Sequence, residues 1–365
     1  MKKNSTLPLK DWLSKEGQVC WQSPANIALV KYWGKYPGQL PMNPSISFVL
    51  ERSIVEIKLD FRFEFDEGHG LDSFLLNGIE NTGFRNRIDS FLRAMVNEFA
   101  FLAHTRISIQ STTTFPHSAG IASSAAAFSA LALCLCSLEE MLSGDQAGTT
   151  DFFRKASHIA RLGSGSASRS LYDGLVVWGQ TKHLEESSDE YAVRLPDNKV
   201  NQLFCSWKDA ILIADSSTKK VSSSQGHALM NKHPYRQSRI VQAEDNLKNM
   251  LLALQAGDIS LAGEIIENEA LSLHGLMMSS SPGYVLMKPA TLLMIEKIRN
   301  FREQTHVPVY FTLDAGPNIH LLYLAADEKK IIDLINNELS AHCQNNQWIN
   351  DSMGTGPLGK IQLKP

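Results

Sequence analysis

Cysteine is scarce in this 365-residue chain: Cys20, Cys134, Cys136, Cys205 and Cys343 form an odd, scattered set without a C-x-x-C pair. That argues against a disulfide scaffold and a cysteine zinc site, and fits a reducing compartment. The histidines show no H-x-x-x-H spacing, so no zinc site is expected from them either. An excess of positive charge is also lacking. Lys and Arg number 35 against 38 Asp and Glu, a net charge of −3 with no basic stripe, which speaks against a general nucleic-acid binder. Long hydrophobic runs are missing too. The longest, Ala125 to Leu138, is broken by Ser129 and Ser137 and stopped by Glu139 and Glu140, short of the roughly 20 residues that span a bilayer. Met1 to Gly17 has early lysines but no apolar segment of the kind that directs secretion. The expectation is a cytoplasmic protein with neither nucleic-acid nor membrane partners.

What is present is ordinary globular material, 43% hydrophobic and 20% charged. The length suits two domains at roughly 150 residues each. Strand patterns begin at Val19 and recur over Ile46–Val49 and 54–65, with another at Ile107–Ile109. Arg85–Ala100 carries apolar residues at helical spacing. Ser124–Leu142 reads as a helix buried on most sides, and Asp151–Leu162 as a helix capped by Asp151. Past a change of character at Asn198–Lys208 come a strand at Ala210–Ala214 and helices at Tyr235–Leu254 and Ile259–Leu273. Strands at Val307–Leu313 and Ile319–Leu324 precede a helix over Ala326–Leu339. Strands and helices mixed in both halves point to an α+β class, with domains over 1–205 and 206–365.

Four segments carry chemistry. Pro116–Ala126 runs through Ser118, Ala119, Gly120, Ala122, Ser123 and Ser124 straight into a helix start, where unpaired N–H groups and the dipole favour phosphate. It is neither a P-loop nor a dinucleotide fingerprint, and a capping serine on a buried helix would look the same. Pro24–Lys35 sets Lys31 and Lys35 around Tyr32, Trp33 and Gly34, donors suited to an anion, although most lysines are simply solvated. Arg161–Ser170 interleaves Ser164, Gly165, Ser166, Ala167 and Ser168 ahead of Arg169, which can grip a carboxylate or phosphate in two-pronged fashion. Apolar residues follow it directly, which weakens a linker reading. Tyr310–Asn318 ends an apolar strand on Asp314 in a Gly-Pro turn, where an ordinary turn aspartate is the plainer explanation.

Taken together, these segments resemble the mevalonate diphosphate decarboxylase family of the GHMP kinase superfamily. Ala25–Lys35 is similar to its N-terminal signature, Phe115–Ala126 to its phosphate loop, Gly163–Ser170 to its serine-rich substrate loop, and Asp314–Asn318 to its catalytic turn. The resemblance implies a two-domain GHMP-kinase-like fold with the active site in the cleft. It also implies a homodimer that uses ATP and Mg²⁺ to decarboxylate mevalonate 5-diphosphate to isopentenyl diphosphate. By the same resemblance, Asp314, Lys31 and Arg169 are catalytic. Tyr32, Trp33, Gly34, Lys35, Arg87, Ser164, Gly165, Ser166, Ala167, Ser168 and Ser224 would join Arg169 in binding substrate. Ser118, Ala119, Gly120, Ala122, Ser123 and Ser124 would serve the nucleotide, with Ser124 a ligand of Mg²⁺. His117 receives no role. Ser224 stands where relatives carry Thr or Arg, so it keeps a hydroxyl and lacks a charge. A mevalonate 3-kinase or a phosphomevalonate decarboxylase is the nearest alternative, and a non-catalytic ligand sensor a remote one. Possession of both Asp314 and Lys31 speaks against the sensor.

Overall fold

The structure is a computed structural model that describes residues 16–64, 70–115, 121, 123–143, 149–217 and 221–363, apart from the side chains of 360–363. The chain opens on β1 (Glu16–Val30), β2 (Ser45–Phe63), β3 (Gly70–Leu76) and β4 (Ile79–Glu80), followed by α1 (Thr82–Ala94) and β5 (Thr105–Thr113). Then come α2 (Ser123–Ser143), α3 (Thr150–Gly163), β6 (Leu175–Trp178), β7 (Val193–Arg194) and β8 (Trp207–Leu212). The second half runs α4 (Ser223–Leu229), α5 (Arg236–Ala256), α6 (Ile259–Met278), α7 (Pro289–Thr305), β9 (Val309–Thr312), β10 (Ile319–Leu324), α8 (Glu328–Leu334), β11 (Trp348–Ser352) and β12 (Leu358–Leu363).

The strands form two sheets. One follows the order β12-β1-β2-β5-β3-β4, with β6 and β7 branching from β2; the other is β11-β8-β10-β9. The final strand β12 pairs antiparallel with β1, so the end of the chain returns to the sheet its beginning built. The mixed class expected from the sequence is present.

Local chemistry explains the main helices. Asn81 caps α1 by accepting from the Phe84 N–H, and Ile88, Phe91 and Leu92 face inward at helical spacing. Thr149, not Asp151, caps α3, accepting from the Phe152 N–H; Asp151 sits in the first turn, where its charge favours the dipole. Gly257, at φ 76°, stops α5 in a left-handed turn, and Asp258 at once caps α6, making a tight helical hairpin. The helix α7 is absent from the sequence reading, although Pro289 in its first turn and Met294, Ile295 and Ile298 on one face were available signals.

The length-based reason for setting aside a membrane span needs correction. The apolar run itself is short, but α2 extends to 21 residues and is long and apolar enough to cross a membrane. Its burial identifies it as a core helix. Residues Ala125 through Leu138 are covered without a gap. The serines that interrupt the run face β1, where Ser137 Oγ accepts from the Trp21 indole at 2.8 Å and Ser129 meets Ser23. Each hydroxyl is thereby satisfied inside the core.

A buried carboxylate helps tie the two sheets together. Asp351 of β11, 1% exposed, accepts from the backbone N–H groups of Glu51 and Arg52 at 2.9 and 2.8 Å and from Ser53 Oγ at 2.6 Å. All three donors belong to β2, and a backbone bridge between Leu50 and Met353 continues the seam. Hydrogen bonds to a charged acceptor contribute about 1.5–3 kcal/mol each, and donors left unsatisfied add to the cost. Asp351→Ala should therefore destabilise the protein by about 3 kcal/mol. With an unfolding entropy of roughly 2.1 cal/mol/K per residue, Tm should drop by roughly 4 °C. Calorimetry of the two proteins is the measurement; an unchanged Tm would show that the seam does not depend on this side chain.

Candidate active site

Lys31 is the first residue beyond β1, and its main chain is held on both sides. Its N–H donates to Glu269 Oε2 of α6 at 2.7 Å, while its carbonyl accepts from Arg239 Nη2 of α5 at 2.7 Å and from Asn43 Nδ2 at 2.9 Å. Arg239 and Glu269 are themselves paired through two hydrogen bonds of 2.8 and 2.7 Å, with side chains 1% and 0% exposed. Asn246 adds a donor to Glu269. The Lys31 ammonium, equally buried, reaches Asp314 Oδ1 at 2.9 Å. Burial pushes its pKa below the ordinary lysine value; Asp314 and then Glu269 oppose that shift, and Arg169 reinforces it.

Asp314 lies in the turn between β9 and β10, and its side chain remains 29% exposed. Its backbone oxygen takes a 2.7 Å bond from the Gly316 N–H and contacts His274 Nε2 of α6 at 3.1 Å. Thr291 at the start of α7 anchors the same turn by donating to the Pro317 carbonyl. Helices α6 and α7 therefore aim the aspartate at the lysine.

The serine-rich segment is built structure, not a linker. Gly165–Leu171 forms 3-10 turns with most of its residues buried, and Ser168 Oγ closes back on the Gly165 carbonyl at 2.9 Å. Arg169, 3% exposed, donates from Nη1 to Ser45 Oγ at 2.7 Å and from Nε and Nη2 to Asn26 Oδ1, while its guanidinium lies 5.9 Å from the Trp178 ring. Burial brings its pKa down to about 10, against the pull of Asp314 and Tyr32. Gly165 is required by close approach. A Cβ there would sit 2.7 Å from the Tyr32 hydroxyl and 2.9 Å from the Trp178 ring.

These elements surround a cavity of about 490 Å³. Lys31, Asp314 and Arg169 line it together with Tyr32, Trp33 and Lys35. So do Arg87 from α1, Ser164, Gly165 and Ser166 from the 3-10 turns, Ser224 from α4, and Ser123 and Ser124 from the start of α2. Lys35 donates to Gln39 at 2.8 Å, and partial burial with the nearby Arg87 charge lowers its pKa. Arg87 rests against the rings of Phe84 and Phe128.

Three expected residues support the cavity without lining it. Gly34, at φ +91°, packs beside Met42, and Ala167 and Ser168 are wholly buried in the turn they form. Ser118, Ala119, Gly120 and Ala122, with His117, lie outside the described residues. The sequence reading missed His227, which lies against Tyr32 and Trp33 in tilted ring contacts at centroid distances of 4.3 and 4.5 Å, and also missed the Arg239–Glu269 clamp. His227 stands three positions after Ser224, a proximity that offered a signal; the clamp, spread over two helices, offered none.

Comparison with known proteins agrees along almost the whole chain. The diphosphomevalonate decarboxylase-like N-terminal domain matches residues 23–192, and the mevalonate 5-diphosphate decarboxylase C-terminal domain matches 210–359. The diphosphomevalonate decarboxylase of Saccharomyces cerevisiae is 29% identical over 337 residues, covering 86% of this chain and 79% of that protein. The phosphomevalonate decarboxylase of Haloferax volcanii is 28% identical over 297 residues, covering 80% and 84%. Among solved structures, that of MDDEF in complex with MVAPP, AMPPCP and magnesium superposes with a TM-score of 0.80 at 27% identity, covering 94% of this chain and 99% of that one.

Removing one partner of a buried ion pair strands the other charge, at about 3–5 kcal/mol. Glu269→Ala should therefore lower Tm by roughly 4–7 °C on the same entropy scale. Replacing both partners, Arg239→Met with Glu269→Leu, should recover most of that loss while leaving the Lys31 N–H without its acceptor and its carbonyl held by Asn43 alone. Turnover in the double variant should stay low. Full recovery of both Tm and turnover would show that the clamp positions nothing.

Proposed function

The chain belongs to the mevalonate 5-diphosphate decarboxylase family, and we propose that it converts mevalonate 5-diphosphate, with ATP, to isopentenyl diphosphate, ADP, phosphate and CO₂. The observation that carries this reading is the buried Lys31–Asp314 pair opening onto a cavity that gathers cations, hydroxyls and a helix N-terminus. A tertiary hydroxyl is a poor leaving group, whereas its phosphate is a good one. Transfer of the γ-phosphoryl to the 3-hydroxyl prepares the C–O bond to break, and the carboxylate then supplies the electron pair of the new double bond as CO₂ departs.

In this reading Asp314, on the cavity wall, receives the 3-hydroxyl and its proton, and Lys31 balances charge on the moving phosphoryl group. Arg169, already fixed by Ser45 and Asn26, holds the substrate carboxylate. Tyr32, Lys35, Arg87, Ser164 and Ser166 take the 5-diphosphate, and Ser123 and Ser124 at the α2 N-terminus take nucleotide phosphates. The donors present suit Mg²⁺ carried in on phosphate oxygens: serine hydroxyls and the Asp314 carboxylate share the cavity, and no group of three His, Cys, Asp or Glu side chains exists among the described residues. Ser124 would hold the ion, which when bound draws charge from the phosphate oxygens. The reading takes 1–205 and 206–365 as the two domains, and the protein as a cytoplasmic homodimer without nucleic-acid or membrane partners. Family likeness and near-neutral charge support this.

Because burial lowers the Lys31 pKa, the ammonium loses its proton, and turnover should fall, as pH rises through a value below the ordinary 10.5. Asp314 opposes that shift, so Asp314→Asn should move this alkaline limb to still lower pH, besides reducing kcat by about 10²–10⁴-fold. A pH–rate profile of both proteins measures this; an unmoved limb with near-normal kcat would make Asp314 a turn residue.

The second reading, decarboxylation of the 5-monophosphate, draws on the Haloferax relative and on the uncharged Ser224 at the cavity wall. Losing one charge-assisted bond costs about 1.5–3 kcal/mol, and Lys35, Arg87 and the serines remain. The expected kcat/KM is at least roughly tenfold higher for the diphosphate, a margin of about 1.4 kcal/mol. ADP and CO₂ should also appear in a 1:1 ratio. Side-by-side kinetics with both substrates would overturn the first statement by equal or reversed efficiencies, and ADP release without CO₂ would make the protein a 3-kinase.

A further inference from the structure

His227 is a buried histidine on the cavity wall that the reaction outlined above does not use. It projects from α4 and lines the cavity, 8% exposed. Its ring lies against both Tyr32 and Trp33, which prevents it from turning freely. The approach of α4 is close: a Cβ on the preceding Gly226 would sit 2.6 Å from the Trp33 ring. On one edge, Nδ1 accepts the backbone N–H of Gly34 at 2.9 Å. An imidazole nitrogen that accepts carries no proton, so in the neutral ring the hydrogen is on Nε2. Among the described residues Nε2 has no hydrogen-bond partner, and it is not a sealed-off buried atom either. One edge of the ring is therefore committed to the backbone, and the other is a donor without an acceptor.

We propose that His227 is a substrate-binding residue whose Nε2–H donates a hydrogen bond to the 5-diphosphate of the bound substrate. The proposal rests on the reading of the cavity given above, and it adds a neutral donor to the cations there. The ring stays neutral because burial, with Lys35 and Arg169 nearby, brings its pKa down to about 3. A neutral donor suits this wall. A further imidazolium beside Lys35 and Arg169 would raise their mutual repulsion, whereas an N–H dipole serves the anion without that cost.

Two substitutions separate the ring's edges. In place of His, Asn presents an acceptor near the Nδ1 position, and Gln a donor near the Nε2 position. Titration calorimetry with mevalonate 5-diphosphate should give His227→Asn a Kd raised about tenfold or more, the effect of losing one bond to a charged acceptor. His227→Gln should bind within about threefold of the unaltered protein. A purely structural histidine predicts the reverse order, with Asn unaffected and Gln weakened; that result, or equal weakening of both, overturns the proposal. In the unaltered protein, ¹⁵N imidazole spectra at neutral pH should show the Nε2–H tautomer, with Nε2 moving on addition of the diphosphate. An unmoved Nε2 resonance likewise overturns it. If the unaltered protein binds only mevalonate 5-phosphate, the diphosphate reading fails by itself, and the Asn–Gln contrast is read with the monophosphate.

Discussion

The arrangement depends on keeping Lys31 charged inside the protein and aimed at a carboxylate. Taking an ammonium out of water costs several kcal/mol even after relaxation, and one carboxylate partner recovers that cost only if the geometry is held closely. Asp314 is that partner, at 2.9 Å. A second buried pair sets the geometry: Arg239 and Glu269 grip the carbonyl and the N–H of Lys31 from α5 and α6. Such a pair contributes little net stability compared with packed apolar side chains. What it does here is fix the place where β1 stops and the lysine begins.

Around that point the structure trades side-chain volume for proximity. Gly165 lets the Tyr32 hydroxyl come to the serine-rich turn, Gly226 lets α4 press onto Trp33, and Gly34 takes a left-handed conformation so that its N–H can meet His227. A cluster of Trp33, Met42, Met230, Leu273, Leu276, Met277 and Ala315 backs the cavity and carries the contact from β1 across to α6 and the Asp314 turn. Chemistry that moves a phosphoryl group asks mainly for positioned charge. A rigid apolar backing supplies the positioning, and the cations and hydroxyls it presents supply the charge.

Much of this was legible in the sequence. The α+β class, the helices α3, α5 and α6, and the four anion-friendly segments come from local pattern, and local pattern is what residue order encodes directly. Taken singly, Asp314 read as an ordinary turn aspartate and Lys31 as a solvated lysine, and the roles of Asp314, Lys31 and Arg169 came from the family resemblance of the four segments together. Where the reading slipped, the cause was local ambiguity. Thr149 took the cap that Asp151 also suited, and α7 passed unnoticed although its signals were present.

Other features could not be read from order alone. Glu269 and Arg239 sit on amphipathic helices where either would pass for a solvated charge, and only the packing of α5 against α6 and the end of β1 makes them a clamp. Asp351 looks like a strand-end carboxylate until β11 is laid beside β2. The return of β12 to β1 joins residues more than 300 positions apart. The sequence by itself determined the class of the fold, the kinds of residue at the cavity and the chemistry those residues suit. Tertiary structure decided which charges lose their water, which partners keep them ionised and which edge of His227 faces the cavity. Those properties depend on distance and dielectric between segments far apart in the chain, and local pattern carries neither.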